Sequence, residues 1–216
     1  MKPEVIGEKY DKIADWWQEK NRSSTYGMKQ IERAIRYCEN THTALDVGCG
    51  VGGPLTDSML KAGFDVEGLD ISGKMLEYAR LNHPNIHLEK ADICKWQTKK
   101  KYDLIAAWNS IFHLPMELQE PVVSKLCGYL EEKGILIYTF GDAYGNHEDF
   151  SFKDEHGDQI GKLSDDLFGY GTIGINENLR ILNENGCKCM HLEIDQYPDG
   201  HVYVIGKKDL KTQRSN

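Results

Sequence analysis

The sequence lacks a long hydrophobic run, a secretion leader and a surplus of basic residues, and each absence excludes a class of protein. No window approaches the roughly 18 consecutive apolar residues that a membrane-spanning helix needs. The first residues, MKPEVIGEKYDKIADWW, contain no apolar stretch followed by a small-residue cleavage site, so we expect a cytoplasmic protein without membrane attachment. The formal net charge of −8 argues against a nucleic-acid partner, because such proteins carry basic surface stripes.

The sequence also lacks a C-x-x-C pair, internal repeats and low-complexity segments. Its six cysteines are scattered through a 216-residue chain that is long enough to bury one sizeable core without disulfides. We therefore expect reduced thiols and no zinc site. His147 and His156 lie among acidic residues without a recognisable ligand spacing, so no metal is predicted. The length favours a single domain over residues 1–216.

What the sequence does contain is a regular alternation of apolar strands and amphipathic helices. The strand-like runs are TALDVG, DVEGLD, IHLEK, YDLIAAW and KGILIYTF. This alternation predicts a doubly wound, Rossmann-like α/β fold with a mostly parallel sheet and helices on both faces. Two later stretches, CKCMHLEID and HVYVIGKK, are separated by the turn signal YPDG and predict a C-terminal antiparallel hairpin, which brings the sheet to seven strands.

The segment TALDVGCGVGG contains two overlapping glycine motifs. Gly48, Gly50 and Gly53 have the G-x-G-x-x-G spacing of dinucleotide-binding loops. Asp46 with Gly48, Gly50 and Gly52 has instead the D-x-G-x-G-x-G spacing of S-adenosylmethionine-dependent methyltransferases. Either motif lies between a strand and a helix, where glycine lets the backbone turn sharply and approach a ligand.

Two acidic residues follow the next two strands. Asp70 ends the second strand about 20 residues after Gly48, which is the offset at which an acid accepts hydrogen bonds from a ribose. Both candidate cofactors carry that ribose, so Asp70 predicts nucleoside binding without choosing between them. Asp92 follows the third strand at the same sheet edge, where a carboxylate can accept from the exocyclic amine of adenine while the N–H of Ile93 donates to the ring.

Four segments in this order resemble the motif series of class I S-adenosylmethionine-dependent methyltransferases of the small-molecule type. They are LDVGCGVGG, VEGLDIS, EKADICKW and YDLIAAWNSIFHL, and the resemblance covers roughly residues 8–140 and, by topology, the terminal hairpin. It implies binding of S-adenosylmethionine and its product S-adenosylhomocysteine. The residues that it implies for this site are Asp46, Gly48, Gly50, Gly52, Asp70, Ile71, Met75, Asp92, Ile93, Trp108 and Asn109.

The flanking segments extend this expectation. YDKIADWW resembles the segment that many such proteins place ahead of the fold, so residues 1–40 are expected to form a helical cap from which Tyr10 closes over the cofactor. Residues 141–175 follow the fifth strand, contain many acids and aromatics, and are expected to form a substrate lid. That composition suits a small-molecule acceptor with a cationic or amine group.

Methyl transfer from a sulfonium is an in-line displacement, so alignment in a dry pocket can supply much of the catalysis. His113 is the candidate general base if the acceptor must lose a proton. Two other functions stay open: a nicotinamide-dependent oxidoreductase using Gly48, Gly50, Gly53 and Asp70, and a non-catalytic S-adenosylmethionine sensor or partner subunit. The sequence does not identify the acceptor or the oligomeric state.

Overall fold

The computed structural model describes residues 2–21, 23–141, 173–195 and 201–209. Most of the expected lid, residues 142–172, lies outside the described residues, as does the YPDG turn. In chain order the helices are α1 Pro3–Asn21, α2 Met28–Ile35, α3 Pro54–Lys61, α4 Gly73–Asn82, α5 Met116–Tyr129 and α6 Ile175–Glu184. The strands are β1 Thr43–Val47, β2 Asp65–Asp70, β3 His87–Lys90, β4 Tyr102–Ala107, β5 Leu130–Phe140, β6 Cys187–Asp195 and β7 His201–Lys208.

The seven strands form one sheet in the order β3-β2-β1-β4-β5-β7-β6. Strands β1 to β5 pair in parallel, and β7 pairs antiparallel with both β5 and β6. The predicted fold class, including the terminal antiparallel pair, is therefore confirmed. The order reverses at β1, because β2 and β3 lie on one side of it and β4 and β5 on the other. Connections that leave neighbouring strands in opposite directions open a crevice at their carboxyl ends.

Helices cover both faces of the sheet because successive residues of each buried strand point to opposite sides. In β4, Leu104 belongs to the cluster on the face of α2 and α3, whereas the next residue, Ile105, belongs to the cluster on the face of α5 and α6. All of β4 is buried, which explains its continuous apolar sequence. No helix in the described parts of the chain is long and apolar enough to cross a membrane.

The start of β5 and the arrangement of the N-terminal helices differ from what the sequence predicts. Strand β5 begins at Leu130, three residues before the predicted KGILIYTF, and Tyr102 pairs with Leu130 before the register shifts. Lys133, with a positive φ of 66°, lies in this irregular start, which local periodicity does not reveal. The expected N-terminal cap of residues 1–40 contains two helices with different positions: α1 contacts α4, whereas α2 packs against α3 and β5.

Candidate functional site

A cavity of about 640 Å³ lies in the crevice at the carboxyl ends of the central strands. Its wall is formed by the loop after β1, the ends of β2 and β4, the segment after β3 and the inner side of α1. All the residues that the sequence predicted for the site line this cavity, with the exception of Gly52. They are Tyr10, Asp46, Gly48, Gly50, Asp70, Ile71, Met75, Asp92, Ile93, Trp108, Asn109 and His113.

The backbone of the glycine loop distinguishes the two overlapping motifs. Gly48, Gly50 and Gly52 have φ values of 73°, 55° and 70°, a region that residues with a Cβ rarely adopt. Gly53 has a φ of −91°, which any residue can adopt. A Cβ at Gly48 would lie 2.5 Å from Ser110 Cβ, whereas one at Gly53 would meet nothing closer than 3.5 Å. The glycines that the backbone requires are therefore those of the D-x-G-x-G-x-G spacing.

Gly52 has a packing role that the resemblance did not imply. A Cβ there would lie 2.6 Å from the imidazole carbon Cδ2 of His83, and the Gly52 carbonyl is 2.9 Å from His83 Nε2. Residue 52 is thus pressed against the end of α4 and does not line the cavity. That Gly52 lines the cofactor stays a prediction, since the cavity wall is formed by its neighbours Val51 and Gly53.

Asp70 fixes the glycine loop to the end of β2. Its Oδ2 accepts from Gly50 N–H at 2.8 Å and its Oδ1 accepts from Ser72 N–H at 2.8 Å. The Leu69 carbonyl also accepts from Gly48 N–H at 2.8 Å. Burial raises the pKa of Asp70, although these main-chain donors act in the opposite direction. Each carboxylate oxygen keeps acceptor capacity, so Asp70 can shape the loop and still bind a hydroxyl.

Asp46 is a buried carboxylate behind the loop, with 4% of its surface exposed. Its Oδ2 accepts a 2.7 Å hydrogen bond from the hydroxyl of Thr56 in α3. Burial raises its pKa from 3.8 to about 6, and the negative charge of Asp70 adds to this rise. Two carboxylates that are hard to ionise therefore lie together at the cavity wall.

Asp92 and Ile93 begin a short turn after β3. Asp92 Oδ1 accepts from Cys94 N–H at 2.9 Å, and its Oδ2 is 3.2 Å from the Lys95 ammonium. The turn is also held from α5, because the ammonium of Lys125 donates to the carbonyl of Ile93. Burial lowers the pKa of Lys125, as expected for an ammonium enclosed between α5 and this turn.

Helix α1 closes the cavity and packs along α4. Side chains spaced about one turn apart on α1 form hydrogen bonds with α4 and its N-cap. The helix fits closely at Gly7, where a Cβ would lie 3.1 Å from the carbonyl of Ile71. The hydrogen bonds between the two helices, from one end to the other, join Asp11 to Ser72 and Lys74, Asp15 to Tyr78, and Gln18 to Asn82. This contact places Tyr10 and Trp17 over the glycine loop.

The Tyr10 hydroxyl is 2.8 Å from His113 Nε2. Burial, together with the nearby His201, lowers the pKa of His113 to about 3. Burial also raises the pKa of Tyr10, so a neutral imidazole meets a neutral phenol. Phe112 packs against both His113 and His201, with ring centroids 4.6 Å and 4.9 Å apart.

Several residues that line the cavity were not predicted from the sequence. Trp17, Tyr26, Ser110, Phe112 and His201 come from α1, the α1–α2 connection, the turn after β4 and the start of β7. Ser110 and Phe112 lie within the quoted segment WNSIFHL, so position after a central strand could have indicated them. His201 carries no local signal, since only antiparallel pairing with β5 brings β7 to this edge. Among the described residues, no group of histidine, cysteine and acidic side chains is arranged to hold a metal.

Comparison with known proteins agrees with this geometry. Residues 44–134 match the family model described as a methyltransferase domain. Over 109 residues the chain is 34% identical to a trans-aconitate 2-methyltransferase of Rhizobium etli, an alignment that covers 50% of this chain and 41% of that protein. The chain spans less than two thirds of the length of the curated relatives that it matches.

Solved structures with the same fold cover nearly the whole chain. An S-adenosylmethionine-dependent methyltransferase from Clostridium acetobutylicum superposes with a TM-score of 0.68 and 18% identity, covering 93% of this chain and 99% of that one. The magnesium protoporphyrin IX methyltransferase of Synechocystis, with bound S-adenosylmethionine, has a TM-score of 0.66 and 16% identity, covering 97% and 98%. These similarities describe the fold, and the family match describes the central segment. The central segment of the chain is therefore similar to a methyltransferase domain, and its fold is that of S-adenosylmethionine-dependent methyltransferases.

Proposed function

We propose that this protein transfers a methyl group from S-adenosylmethionine to a small-molecule acceptor. The observation that carries the proposal is the backbone of the loop after β1, in which the three glycines of the methyltransferase spacing have positive φ values and two of them, Gly48 and Gly50, line the cavity. Asp70 and Asp92 follow along the same sheet edge. The names of the relatives add support, because trans-aconitate and magnesium protoporphyrin IX are both small molecules.

The residues of the cavity fit this cofactor. A Cβ at Gly50 would meet only Trp17 Nε1, at 3.6 Å, so the loop offers open backbone to a ligand on that side. Buried polar atoms of Trp108, Asn109 and Ser110 have no hydrogen-bond partner in the described parts of the chain, and all three residues line the cavity. Buried polar groups without partners are uncommon in proteins and are consistent with a polar ligand.

Each part of the site has a role in this proposal. Asp70 accepts from the ribose hydroxyls, while Asp92 and the main chain of Ile93 recognise adenine. Asp46 and the glycine loop hold the methionine end. When bound, the cofactor supplies a methyl group that is activated by a sulfonium. The protein then aligns the acceptor, and α1 with the Tyr10–His113 hydrogen bond excludes water from the reacting end.

The charges of the cavity favour an amine-bearing acceptor. Among the described lining residues, Asp46, Asp70 and Asp92 carry negative charge, whereas Lys20 is the one ammonium and there is no arginine. With these three carboxylates assigned to the cofactor, an anionic acceptor still finds no arginine among the described lining residues, which suits a neutral amine that becomes a cation on methylation. The aromatic residues Trp108 and Tyr26, with ring centroids 5.7 Å apart, offer π faces to that charge.

An amine acceptor also agrees with the properties of His113. A pKa of about 3 makes this imidazole a weak base, so it is poorly suited to remove a proton from a hydroxyl. A neutral amine needs no deprotonation before it attacks, and it can lose its proton to water afterwards. In this proposal His113 contributes to catalysis by orienting Tyr10 over the reacting centre rather than by strong general-base action.

Two measurements test the proposal. Calorimetric titration with S-adenosylhomocysteine and, separately, NADH should give binding of the first alone, and binding of NADH alone would overturn the cofactor assignment. Incubation with methyl-labelled S-adenosylmethionine and matched panels of small amines, phenols and carboxylic acids should then label an amine. Labelling of a carboxylic acid alone would refute the amine class, and binding without transfer to any panel would favour a sensor.

A further inference from the structure

Two buried cysteines contact each other at the end of the sheet that faces away from the cavity. Cys127 lies in the last turn of α5 and Cys187 begins β6, with 0% and 2% of their surfaces exposed. The Cys127 thiol donates a hydrogen bond to the sulfur of Cys187, and both are free thiols. Strand β7 runs from the cavity residue His201 to Lys208, which pairs with Cys187, so the two thiols lie remote from the cavity.

The local structure holds the end of α5 against the start of β6. One turn before Cys127, the hydroxyl of Ser124 accepts a 3.0 Å hydrogen bond from the side-chain amide of Asn185. Asn185 lies two residues before Cys187, in the turn that leads from α6 into β6, and Gly186 completes this turn with a φ of 69°. The two thiols therefore meet in the folded protein without any rearrangement of α5 or β6.

A nearby ammonium makes the two thiols unequal. Lys208 pairs with Cys187 in the β6–β7 ladder, and its Nζ donates a 2.5 Å hydrogen bond to the carbonyl of Asn185. The hydrogen bond from Cys127, together with the positive charge of Lys208, lowers the pKa of Cys187. The same hydrogen bond and burial raise the pKa of Cys127. Because the thiolate is the reactive form of cysteine, Cys187 is the nucleophile of the pair.

The position of Cys187 in the sheet gives a small reagent a route to its sulfur. Strand β6 is the outermost strand on its side of the sheet, and Lys188, the next residue, is exposed. The end of an edge strand opens at a lower free energy than the whole domain unfolds. Cys189, two residues further along, donates its thiol to the carbonyl of His191 at 3.6 Å, whereas the thiol of Cys127 contacts Cys187.

We infer that Cys127 and Cys187 are a reversible oxidation site, at which a peroxide joins α5 to β6 through a disulfide. The Cys187 thiolate attacks one oxygen of hydrogen peroxide, the O–O bond breaks, and the released hydroxide takes up the thiol proton to become water. The sulfur of Cys127 then attacks the resulting sulfenic acid, the S–S bond forms, and the S–O bond breaks to release a second water. Two thiols and one peroxide thus give one disulfide and two waters.

Peptide mapping tests the inference on the whole chain. The protein is treated with a few equivalents of hydrogen peroxide, its remaining thiols are alkylated, and it is digested without reductant for mass spectrometry. We expect a linked pair of peptides that contain Cys127 and Cys187 and that dithiothreitol separates. Cys127→Ala and Cys187→Ala should abolish this species. Cys38→Ala removes a half-buried thiol at the end of α2 and should retain it, which makes it the matched control.

The disulfide should also raise the midpoint of thermal unfolding, because it closes a long loop of the unfolded chain. We expect a rise of about 5–10 °C in the oxidised wild type that dithiothreitol reverses and that neither cysteine variant shows. Three results in the wild type, which needs no substitution to fold, would overturn the inference. They are alkylation of both thiols after peroxide treatment, conversion of Cys187 to a sulfinic acid without a disulfide, and a Cys127–Cys187 disulfide that leaves the midpoint unchanged.

Discussion

The substitution Asp46→Asn removes a buried charge at the cavity wall without changing the size of the side chain. Burial raises the pKa of this carboxyl from 3.8 to about 6. Folding therefore favours the protonated form of Asp46. The resulting stabilisation is fully present below the unfolded pKa and is lost as the pH rises through the folded pKa. Between about pH 4 and pH 6, this residue makes the folded state progressively less stable relative to the unfolded chain.

The magnitude follows from the shift itself. A rise from 3.8 to about 6 is roughly two pKa units, and each unit corresponds to about 1.36 kcal/mol, so the change is about 3 kcal/mol. The free energy of unfolding of the wild type, measured relative to Asp46→Asn, should fall by about this amount between pH 4 and pH 7. Packing changes and the extra N–H groups of asparagine shift the difference equally at every pH, so they cancel from the slope.

Urea denaturation at constant ionic strength measures this difference over the pH range. Groups that do not interact with Asp46, His113 among them, titrate in both proteins and also cancel, whereas Asp70 interacts electrostatically with Asp46 and shares in the measured change. Asp65→Asn serves as a control, because Asp65 is exposed at the start of β2 and its removal deletes one negative charge away from the cavity. The control should show a nearly flat difference. A flat difference for Asp46→Asn as well would refute the argument that burial of this charge opposes folding.

Substitutions elsewhere in the site have equally definite outcomes. Gly48→Ala should abolish S-adenosylhomocysteine binding and lower stability, because its φ of 73° and a 2.5 Å contact exclude a Cβ, whereas Gly53→Ala should bind normally in the same calorimetric titration. Equal affinities for the two variants would contradict the motif assignment. In ¹⁵N NMR titrations, the imidazole of His113 should stay neutral down to about pH 5, since burial lowers its pKa to about 3, and a midpoint near its ordinary value would contradict the enclosed site. Lys125→Met should weaken S-adenosylhomocysteine binding several-fold, because the Lys125 ammonium donates to the carbonyl of Ile93 and holds the turn that begins at Asp92. Lys125→Arg keeps the cation and should weaken binding much less. Identical affinities for the two variants and the wild type would show that the turn keeps its conformation without this contact.

The fold could be predicted from the sequence because strand and helix periodicities alternate without interruption. Parallel strands place their carboxyl ends at one edge, so residues that follow separate strands, such as Asp46, Asp70 and Asp92, were expected to meet there. The ends of strands were harder to predict where an irregular backbone determines them, as at the bulged start of β5 near Lys133. His201 reaches the cavity wall because β7 pairs antiparallel with β5, and no local sequence pattern specifies this pairing between distant segments.

The overlapping glycine motifs show what a sequence spacing leaves undetermined. Gly52 and Gly53 are adjacent, and spacing alone cannot tell which of them the backbone requires. The structure distinguishes them through residues far away in sequence: His83 at the end of α4 excludes a Cβ at Gly52, and Ser110 after β4 excludes one at Gly48. Gly53 has an ordinary φ, and a Cβ there would make only an ordinary van der Waals contact, 3.5 Å from Asn21 Oδ1. Tertiary contacts therefore require glycine at these motif positions, in addition to any contact with a ligand.

The buried carboxylates of Asp46 and Asp70 carry the argument for a ligand furthest. Burial raises the pKa of both, and within the described parts of the chain only the Thr56 hydroxyl and His83 act to lower the pKa of Asp46, with no lysine or arginine among its partners. If these residues served the fold alone, neutral side chains of the same size would hold Thr56 and the glycine loop with less desolvation. Two buried carboxylates with hydrogen-bond donors but no cationic partner among the described residues are typical of a binding site, and a ligand with its own positive charge would relieve the desolvation penalty. S-adenosylmethionine, with an ammonium and a sulfonium, has this charge distribution.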